Sequence, residues 1–512
     1  MNKERTLGIV LQYAQMALSI IIQIAYTPIM LRILGQNEYG IYNIASSTIS
    51  YLSLFSLGLG GSYLRYYSIY KNNKDNDGIK KLNGLYLFVF TILGIVAFIA
   101  GLVLTVNVQR MFNSSYTENE IGIARILMLL LSINLALTFP GSVFSSYIMS
   151  QEKFIFQKIV NIITTVLAPA SNIIMLYCGF GSIGMVVTTT SITIIAIAIN
   201  IFYCFKKLHM QLTFRKMDFK LLKDVAYFSF FIALNQIIDQ INWQTDKLIL
   251  GKMINGGAVA VYAVGANINT MYTSFSTAVS SVFAPKVNKI VAENKPDMNE
   301  ELTVLFIKVG RIQWFIMALI LTGFIFFGQY FIEVWAGKEY ADAYFIALML
   351  ICPVTISLIQ NIGIEIQRAK NKHKFRSIVY LIMAVLNVGI SIYFVSLWGI
   401  LGVALGTMIS LILANGIIMN IYYQKYVGID IIKFWKSILS TGLGFILPTT
   451  LGVLIMFFYK YQGIRDFILL VLGYSIIYGI SVYFLSFNAY EKSIVCRFFS
   501  KFKKMFVRKK RG

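Results

Sequence analysis

Four polar side chains recur at helical spacing inside one apolar run, residues 225–253. Asn235, Asp239, Asn242 and Asp246 are separated by four, three and four positions, so they share one face of an α-helix. Carboxylates and amides in an apolar setting are costly unless they face protein or water. They could bind sugar hydroxyls or a coupling cation from a hydrophilic cavity. The other interpretation is packing between two lobes of the protein, and it applies most to Asp246, near the end of the run.

Two arginines in apolar runs are candidates for holding a phosphate group, because a guanidinium binds phosphate oxygens through paired hydrogen bonds. Arg65 lies late in the run 41–69, and Arg311 lies about two turns into the run 302–327. Arg65 could equally extend its charge to the nearby aqueous boundary. Arg311 lies deeper in its run and is the stronger candidate.

Residue patterns for catalysis or metal binding are absent from the sequence. It has no Gly-x-x-x-x-Gly-Lys-Ser/Thr phosphate-binding loop, and its two histidines, His209 and His373, lie in basic stretches. The four cysteines lack metal-ligand spacing. A membrane glycosyltransferase or acyltransferase would need acid, base or nucleophile residues clustered at a membrane face, and we find no such cluster. We therefore expect no enzyme, no metal site and no cofactor. A non-transporting scaffold is a further alternative, which a transport assay would separate.

The polar residues above are carried by apolar runs of about 20 residues or more, long enough for a helix to cross a ~30 Å hydrocarbon layer. The chain has 512 residues, of which 57% are hydrophobic and 13% charged, too apolar for a soluble protein of this length. The sequence therefore predicts an all-α, polytopic transmembrane protein. Its fourteen or so spans are predicted at 7–31, 41–69, 82–106, 121–149, 156–178, 182–205, 225–253, 259–284, 302–327, 341–366, 377–397, 400–423, 437–459 and 465–487.

Positive charge is distributed unevenly among the loops. With the N-terminus placed inside, the inside loops hold most of the Lys and Arg residues. The outside loops hold only Arg32, Arg110, Lys252, Lys338, Lys460 and Arg465. Since positively charged loops stay on the cytoplasmic side, both termini are predicted to be cytoplasmic. The same rule accounts for the net charge of +23 without nucleic-acid binding. The first run lacks a cleavage site and is therefore taken as a span, not a signal peptide.

Residues 491–512 form a basic tail after the last span. Apolar residues of this tail share one helical face: Ile494, Val495, Phe498, Phe499, Phe502, Met505 and Phe506. This pattern predicts an amphipathic helix lying on anionic membrane lipid. The alternative is a disordered basic tail.

The chain resembles itself at an offset near 218 residues. The matching segments, in chain order, are Arg32–Tyr42 with Leu248–Tyr262, Lys153–Phe154 with Lys374–Phe375, and Gly181–Gly184 with Gly399–Gly402. Six spans per copy give both copies the same orientation, and two such lobes around a cavity are typical of transporters. We predict an N-lobe at 1–210 (helices 1–6), a C-lobe at 211–424 (helices 7–12), helices 13–14 at 425–490 and the tail at 491–512.

Two motifs resemble a known family. Tyr26-Thr-Pro-Ile-Met-Leu-Arg-Ile-Leu-Gly35-Gln-Asn-Glu-Tyr-Gly-Ile-Tyr42 is similar to the first-span signature of bacterial polysaccharide-biosynthesis flippases, and Asn242-Trp-Gln-Thr-Asp246-Lys-Leu-Ile-Leu-Gly251 to their span-seven signature. These O-antigen and capsule repeat-unit translocases belong to the multidrug/oligosaccharidyl-lipid/polysaccharide (MOP) exporter superfamily. The resemblance implies a MATE-like fold of two pseudo-symmetric six-helix lobes, with two C-terminal helices appended.

The resemblance also implies a function. An undecaprenyl-pyrophosphate-linked oligosaccharide would move from the inner to the outer leaflet of the bacterial plasma membrane, by alternating access of the two lobes. The expected partners are this substrate, membrane lipids, a coupling cation (H⁺ or Na⁺), and a polysaccharide polymerase with glycosyltransferases. The family supplies no universal catalytic motif. Within the superfamily, a cation-coupled multidrug exporter usually has twelve spans, so residues 437–487 argue against it. A lipid II flippase is closer and stays open.

Overall fold

The computed structural model describes residues 3–56, 59–112, 114–215, 219–280, 283–497 and 500. Within these ranges regular structure is helical, without a β-strand. The helices are α1 Lys3–Ser50, α2 Leu59–Asn72, α3 Asn76–Val106, α4 Glu118–Ser150, α5 Phe154–Tyr177, α6 Gly181–Lys206, α7 Phe219–Met253, α8 Gly256–Ser280, α9 Ala284–Glu293, α10 Met298–Trp335, α11 Ala343–Ile359, α12 Ile362–Ala369, α13 His373–Leu411, α14 Met419–Tyr422, α15 Ile431–Leu439, α16 Leu443–Phe458 and α17 Ile464–Leu485.

Many of these helices are long and apolar enough to cross a membrane. Eight helical stretches of the described residues meet that requirement, or ten when the bent pairs α11–α12 and α15–α16 each count as one span. The pairs bend by 47° and 52°. The prediction of a polytopic all-α membrane protein is therefore confirmed. The predicted number of fourteen spans stays a prediction. It counts α7 and α8 in addition to these ten, and it divides the stretches that contain α1 and α13 into two spans each.

Two continuous helical stretches each contain two predicted spans. In α1 the backbone leaves helical geometry at Gly35, with φ 70° and ψ 176°, between predicted spans one and two. In α13 it does so at Trp398 and Gly399, where Gly399 has φ 57°, between predicted spans eleven and twelve. A positive φ of this kind strains residues that carry a side chain. Glycine therefore marks both breaks.

The long apolar run 41–69 is not one straight helix. After Ser50 the chain tightens into a 3₁₀ turn at Tyr51–Ser56, and α2 begins at Leu59. Ser50 Oγ donates to Ser47 O at 2.7 Å, and Ser53 Oγ donates to Ser50 O at 2.6 Å. Such bonds compete with the helical backbone pattern. In contrast, the equally long run 225–253 lies within the single helix α7.

One segment of the predicted repeat has matching local geometry in its two copies. Gly181 at the start of α6 has φ +55°, and Gly399 within α13 has φ +57°. The next matched pair, Gly184 and Gly402, is tightly packed in both copies. A Cβ on Gly184 would lie 2.5 Å from Phe180 Cβ, and one on Gly402 would lie 2.1 Å from Phe394 O. This agreement supports the repeat, while the lobe boundaries stay a prediction.

Contacts divide the chain into two compact units. The first comprises residues 1–266 and 377–410. Within it α4 packs on α3 and α6, and α1 packs on α5 and α7. The backbones of α1 and α8 approach so closely at Gly40 that a Cβ there would lie 1.9 Å from Gly256 O. Small residues allow such close approach between membrane helices.

The second unit comprises residues 267–376 and 411–512. Its core forms where α16 and α17 pack on α10. Aromatic rings fill this contact: Tyr478 packs with Phe315, and Tyr474 with Phe326 and Phe327. The outward side chains of α16 and α17 are apolar and exposed, for example Phe458 and Phe484, as expected for contact with lipid.

The predicted amphipathic tail falls largely outside the described residues. Residues 489–497 are helical, and the helix is capped reciprocally at its start. Asn488 N donates to Glu491 Oε2 at 2.8 Å, and Glu491 N donates to Asn488 Oδ1 at 2.9 Å. This pairing satisfies backbone donors that a helix start leaves open.

Candidate functional site

The predicted polar face lies on α7, and its burial changes along the helix. Asn235 and Asp239 are exposed, Asn242 is half-buried, and Asp246 is 1% exposed. One continuous helix therefore carries all four residues, as predicted. Its first part presents polar groups at the surface of its own unit, whereas its last part carries a carboxylate into the interior.

Asp246 is held by hydroxyl groups from two other helices. Its Oδ2 accepts hydrogen bonds from Tyr262 Oη on α8 and, at 2.7 Å, from Thr407 Oγ1 on α13. Its Oδ1 is buried and has no hydrogen-bond partner among the described residues. A buried carboxylate oxygen without a donor is costly. This oxygen is therefore a position where a proton or a metal cation would be stabilised.

Further oxygen atoms surround this carboxylate. Thr407 Oγ1 lies 3.3 Å from Asn387 Oδ1, and Ser391 Oγ lies 3.2 Å from the same atom. Ser391 Oγ also lies 3.4 Å from the carbonyl oxygen of Val403. Asn387, Ser391 and Thr407 are all at most 2% exposed. We call Asp246, Tyr262, Asn387, Ser391 and Thr407 the Asp246 cluster. Carboxylate, amide, hydroxyl and carbonyl oxygens are the ligands that hard cations prefer.

The opposite side of α7 is hydrogen-bonded to the end of α1. Ser47 Oγ donates to Gln244 Oε1 at 2.9 Å, and Ser50 Oγ lies 3.1 Å from Gln240 Oε1. These two glutamines therefore serve helix packing. They leave the Asp246 side of α7 to face α8 and α13.

The other predicted residues of the first unit are not part of the Asp246 cluster. Asn235 Oδ1 accepts a hydrogen bond from Ser377 Oγ at 3.3 Å. Arg65 is exposed on α2, and its guanidinium carbon lies 6.0 Å from the ring centre of Tyr66. Arg65, Asn235 and Asp239 are thus exposed, whereas Asp246 is buried.

Arg311 is buried within the second unit, where it forms an ion pair with Glu491. Its Nε and Nη2 donate to the two carboxylate oxygens at 2.5 and 2.9 Å. Its remaining donors reach the carbonyl oxygens of Ser437 at 2.7 Å and Ser486 at 2.9 Å. The side chain is therefore fully engaged between α10, α15 and the start of the C-terminal helix. A phosphate contact would require this ion pair to open.

Sequence reasoning missed the partners of both buried charges. Tyr262 and Thr407 are single polar residues in apolar spans, a common occurrence without a distinctive pattern. Glu491 is an acidic residue in a tail whose predicted structure rested only on its basic and apolar residues. The one usable signal was Asn387 with Ser391, two polar residues one helical turn apart in an apolar span.

Comparison with solved structures identifies the fold. The chain is similar to the lipid II flippase MurJ in an inward closed conformation, with a TM-score of 0.71 and 16% identity over 93% of this chain and 98% of that one. It is also similar to an inward-facing multidrug resistance MATE transporter of the MOP superfamily, with a TM-score of 0.63 and 15% identity over 80% of this chain and 96% of that one. The fold is thus the one that these two proteins share, and the predicted MATE-like fold is confirmed.

Sequence comparisons identify the family. The family described as polysaccharide biosynthesis protein matches residues 29–345, more than half of the chain. The uncharacterized membrane protein EpsK of Bacillus subtilis (strain 168) is 21% identical over 490 residues, covering 95% of this chain and 96% of that protein. A putative O-antigen transporter of Shigella flexneri is 20% identical over 404 residues, covering 78% of this chain and 92% of that protein. The chain belongs to the polysaccharide biosynthesis protein family.

Proposed function

We propose that this protein is a flippase for lipid-linked oligosaccharides. It moves undecaprenyl-pyrophosphate-linked units from the inner to the outer leaflet of the bacterial plasma membrane for surface polysaccharide synthesis. The observation that carries the proposal is membership of the polysaccharide biosynthesis family over residues 29–345. The likeness in fold to MOP superfamily transporters supports alternating access of two lobes as the means of transport.

The Asp246 cluster is the proposed coupling site. A buried carboxylate with one unpartnered oxygen favours the arrival of a cation, H⁺ or Na⁺, because the cation would supply the partner that this oxygen lacks. Asp246 lies on α7, Tyr262 on α8, and Asn387 and Thr407 on the two parts of α13. Cation binding would therefore draw together the helices of predicted spans seven, eight, eleven and twelve.

The exposed polar groups are the proposed contacts to the substrate. Asn235 and Asp239 offer an amide and a carboxylate to sugar hydroxyls, and Arg65 offers a guanidinium to the pyrophosphate. Both termini are proposed to be cytoplasmic, from the charge of the loops. A polysaccharide polymerase and glycosyltransferases are the proposed functional partners, because they would consume and supply the lipid-linked unit.

The test is complementation of a strain that lacks this protein. We expect the strain to lose surface polysaccharide and to retain the lipid-linked unit in a form inaccessible to a membrane-impermeant oxidant of sugars. Wild-type protein and Asp342→Asn, a change of the same kind at an exposed residue, should restore export. Asp246→Asn should reach the membrane in equal amount but fail to restore export.

The outcomes separate the parts of the proposal. Normal surface polysaccharide in the deletion strain would overturn the proposed function. Accumulation of lipid II instead would favour a lipid II flippase. Full export by Asp246→Asn would leave the flippase proposal standing and remove Asp246 as the coupling site.

A further inference from the structure

A second polar region lies within the first unit, between α4, α5 and α6. A cavity of about 420 Å³ opens there, a size within the range of about 300–1,000 Å³ that is usual for small-molecule sites. Its lining residues lie at 138–145 on α4, 157–168 on α5 and 189–200 on α6, from about the middle of each helix toward the end of α4, the start of α5 and the end of α6. According to the loop charges, these are the parts of the helices on the cytoplasmic side.

The cavity is polar but uncharged. Nine of its fourteen described lining residues carry a hydroxyl or an amide group, and none is charged. Polar groups in a membrane-embedded helix are costly when they face lipid and therefore indicate contact with protein, water or a polar ligand. The absence of charge among these residues disfavours an ionic ligand.

Six of the seven hydroxyl groups among the described lining residues present acceptors and not donors. A hydroxyl has one hydrogen to donate and two lone pairs to accept with. Six of these side chains already donate their hydrogen to a carbonyl oxygen of their own helix, at 2.6 to 2.9 Å: Thr138, Ser142, Ser145, Thr164, Thr165 and Thr193. Their lone pairs are what remains for a ligand.

Two amide oxygens add to these acceptors. Gln157 and Asn200 line the cavity and are 7% and 6% exposed. Gln157 Oε1 and Asn200 Oδ1 have no hydrogen-bond partner among the described residues. Gln157 Nε2 donates to Asn161 Oδ1 at 3.1 Å, and this hydrogen bond fixes the orientation of the Gln157 amide. Buried acceptors without donors are uncommon in proteins and call for a ligand or water that supplies the hydrogens.

A ligand for this cavity must therefore be rich in donors and uncharged. A phosphate group is disfavoured, because its oxygen atoms are acceptors and cannot pair with the acceptors that line the cavity. Each sugar hydroxyl can donate one hydrogen bond to these acceptors. We infer that the cavity between α4, α5 and α6 binds an uncharged sugar residue of the transported oligosaccharide. This inference rests on the proposed function, whose substrate carries such sugars.

The test uses the full chain in lipid nanodiscs and three photoreactive probes. The first is octyl β-glucoside with a diazirine on its sugar ring. The second carries the same octyl chain and diazirine on a head group without hydroxyls. The third is phosphatidylglycerol with a diazirine on its head group. We expect the glucoside to label α4, α5 and α6 in a saturable manner, and the other two probes to label them weakly and without saturation.

Variants then test which groups bind the sugar. Gln157→Leu with Asn200→Leu removes both free acceptors and should raise the half-saturating glucoside concentration about tenfold or more, as the loss of two hydrogen bonds implies. Thr165→Val keeps the shape and removes one hydroxyl, so it should cause a loss of a few fold. Thr91→Val is the matched control on α3, where an exposed threonine makes the same intrahelical bond at 2.7 Å outside the cavity. Gel filtration checks the folding of each variant.

Several outcomes would overturn the inference. These are equal labelling by the head group without hydroxyls, preferential labelling by phosphatidylglycerol, and unchanged saturation in folded Thr165→Val and in the double variant. Normal export of polysaccharide by a double variant that no longer binds glucoside would also overturn it. The proposed function fails separately, when wild-type protein binds the glucoside but the deletion strain exports polysaccharide normally.

Discussion

The buried ion pair between Arg311 and Glu491 allows a sharp test of what Arg311 does. Glu491 is 4% exposed and receives two of its hydrogen bonds from Arg311. Arg311→Ala would leave this carboxylate buried with only the backbone donor of Asn488, at 2.8 Å. Breaking a buried pair in this way typically costs 3–5 kcal/mol. We expect about 3 kcal/mol, the lower end, because that donor remains.

The assay is thermal stability of the purified protein in detergent, followed by the fraction that survives as a single gel-filtration peak. Arg311→Ala should lose this peak at a temperature several degrees below wild type. Arg125→Ala is the matched control, because Arg125 on α4 is exposed and such changes usually alter stability by less than about 0.5 kcal/mol. Arg311→Met with Glu491→Leu should regain most of the stability, since apolar residues of similar volume replace buried ion pairs well.

Two results would refute this reasoning. One is Arg311→Ala with the thermal stability of wild type. The other is a stable double variant that fails to export polysaccharide, which would assign Arg311 to the substrate, as the sequence alone suggested. Export by the stable double variant would assign Arg311 to the architecture of the second unit.

Three further predictions concern single positions. Asp239→Ala should reduce export while the protein still inserts and folds, because Asp239 offers an exposed carboxylate on α7. Gly40→Ala should disrupt folding, because its Cβ would lie 1.9 Å from Gly256 O, whereas Gly122→Ala, with nothing within 4 Å, should fold normally; gel filtration compares the two. Gly399→Ala should lower the free energy of unfolding by roughly 1–3 kcal/mol, owing to its positive φ, as a denaturant titration would measure.

Each of these predictions has a clear contrary result. Wild-type export by Asp239→Ala would remove that carboxylate from the proposed substrate contacts. Equal folding of Gly40→Ala and Gly122→Ala would contradict the close crossing of α1 and α8. An unchanged denaturation midpoint for Gly399→Ala would contradict the backbone break within α13.

The helices were predictable because a membrane restricts the structures that a spanning segment can adopt. A lipid-exposed backbone must satisfy its hydrogen bonds internally, so each apolar run of sufficient length becomes a helix. The interruption at Tyr51–Ser56 was not predictable from hydropathy, because Tyr51, Leu52 and Phe55 are as apolar as their neighbours. It depends on serine side chains that donate hydrogen bonds to nearby carbonyl oxygens and compete with the helical backbone pattern. The mean hydropathy of the run does not reveal this competition.

The candidate site was predictable in part. Helical periodicity correctly placed Asn235, Asp239, Asn242 and Asp246 on one helix, because spacing fixes the face on which residues lie. Spacing does not fix which part of that face a neighbouring helix covers. Asp246 is buried because Tyr262 and Thr407 reach it from other helices, and these contacts depend on packing between distant segments. Arg311 illustrates the same point, since Glu491 lies 180 residues away.

The central claim is that a cation gradient drives this protein to move a lipid-linked oligosaccharide across a membrane. The most direct measurement uses proteoliposomes that contain the purified protein and a fluorescent undecaprenyl-pyrophosphate-linked oligosaccharide, with a membrane-impermeant quencher added outside. An imposed H⁺ or Na⁺ gradient should change the quenched fraction with wild-type protein and with Asp342→Asn, but not with Asp246→Asn. An unchanged quenched fraction with correctly folded wild-type protein under both gradients would contradict the claim.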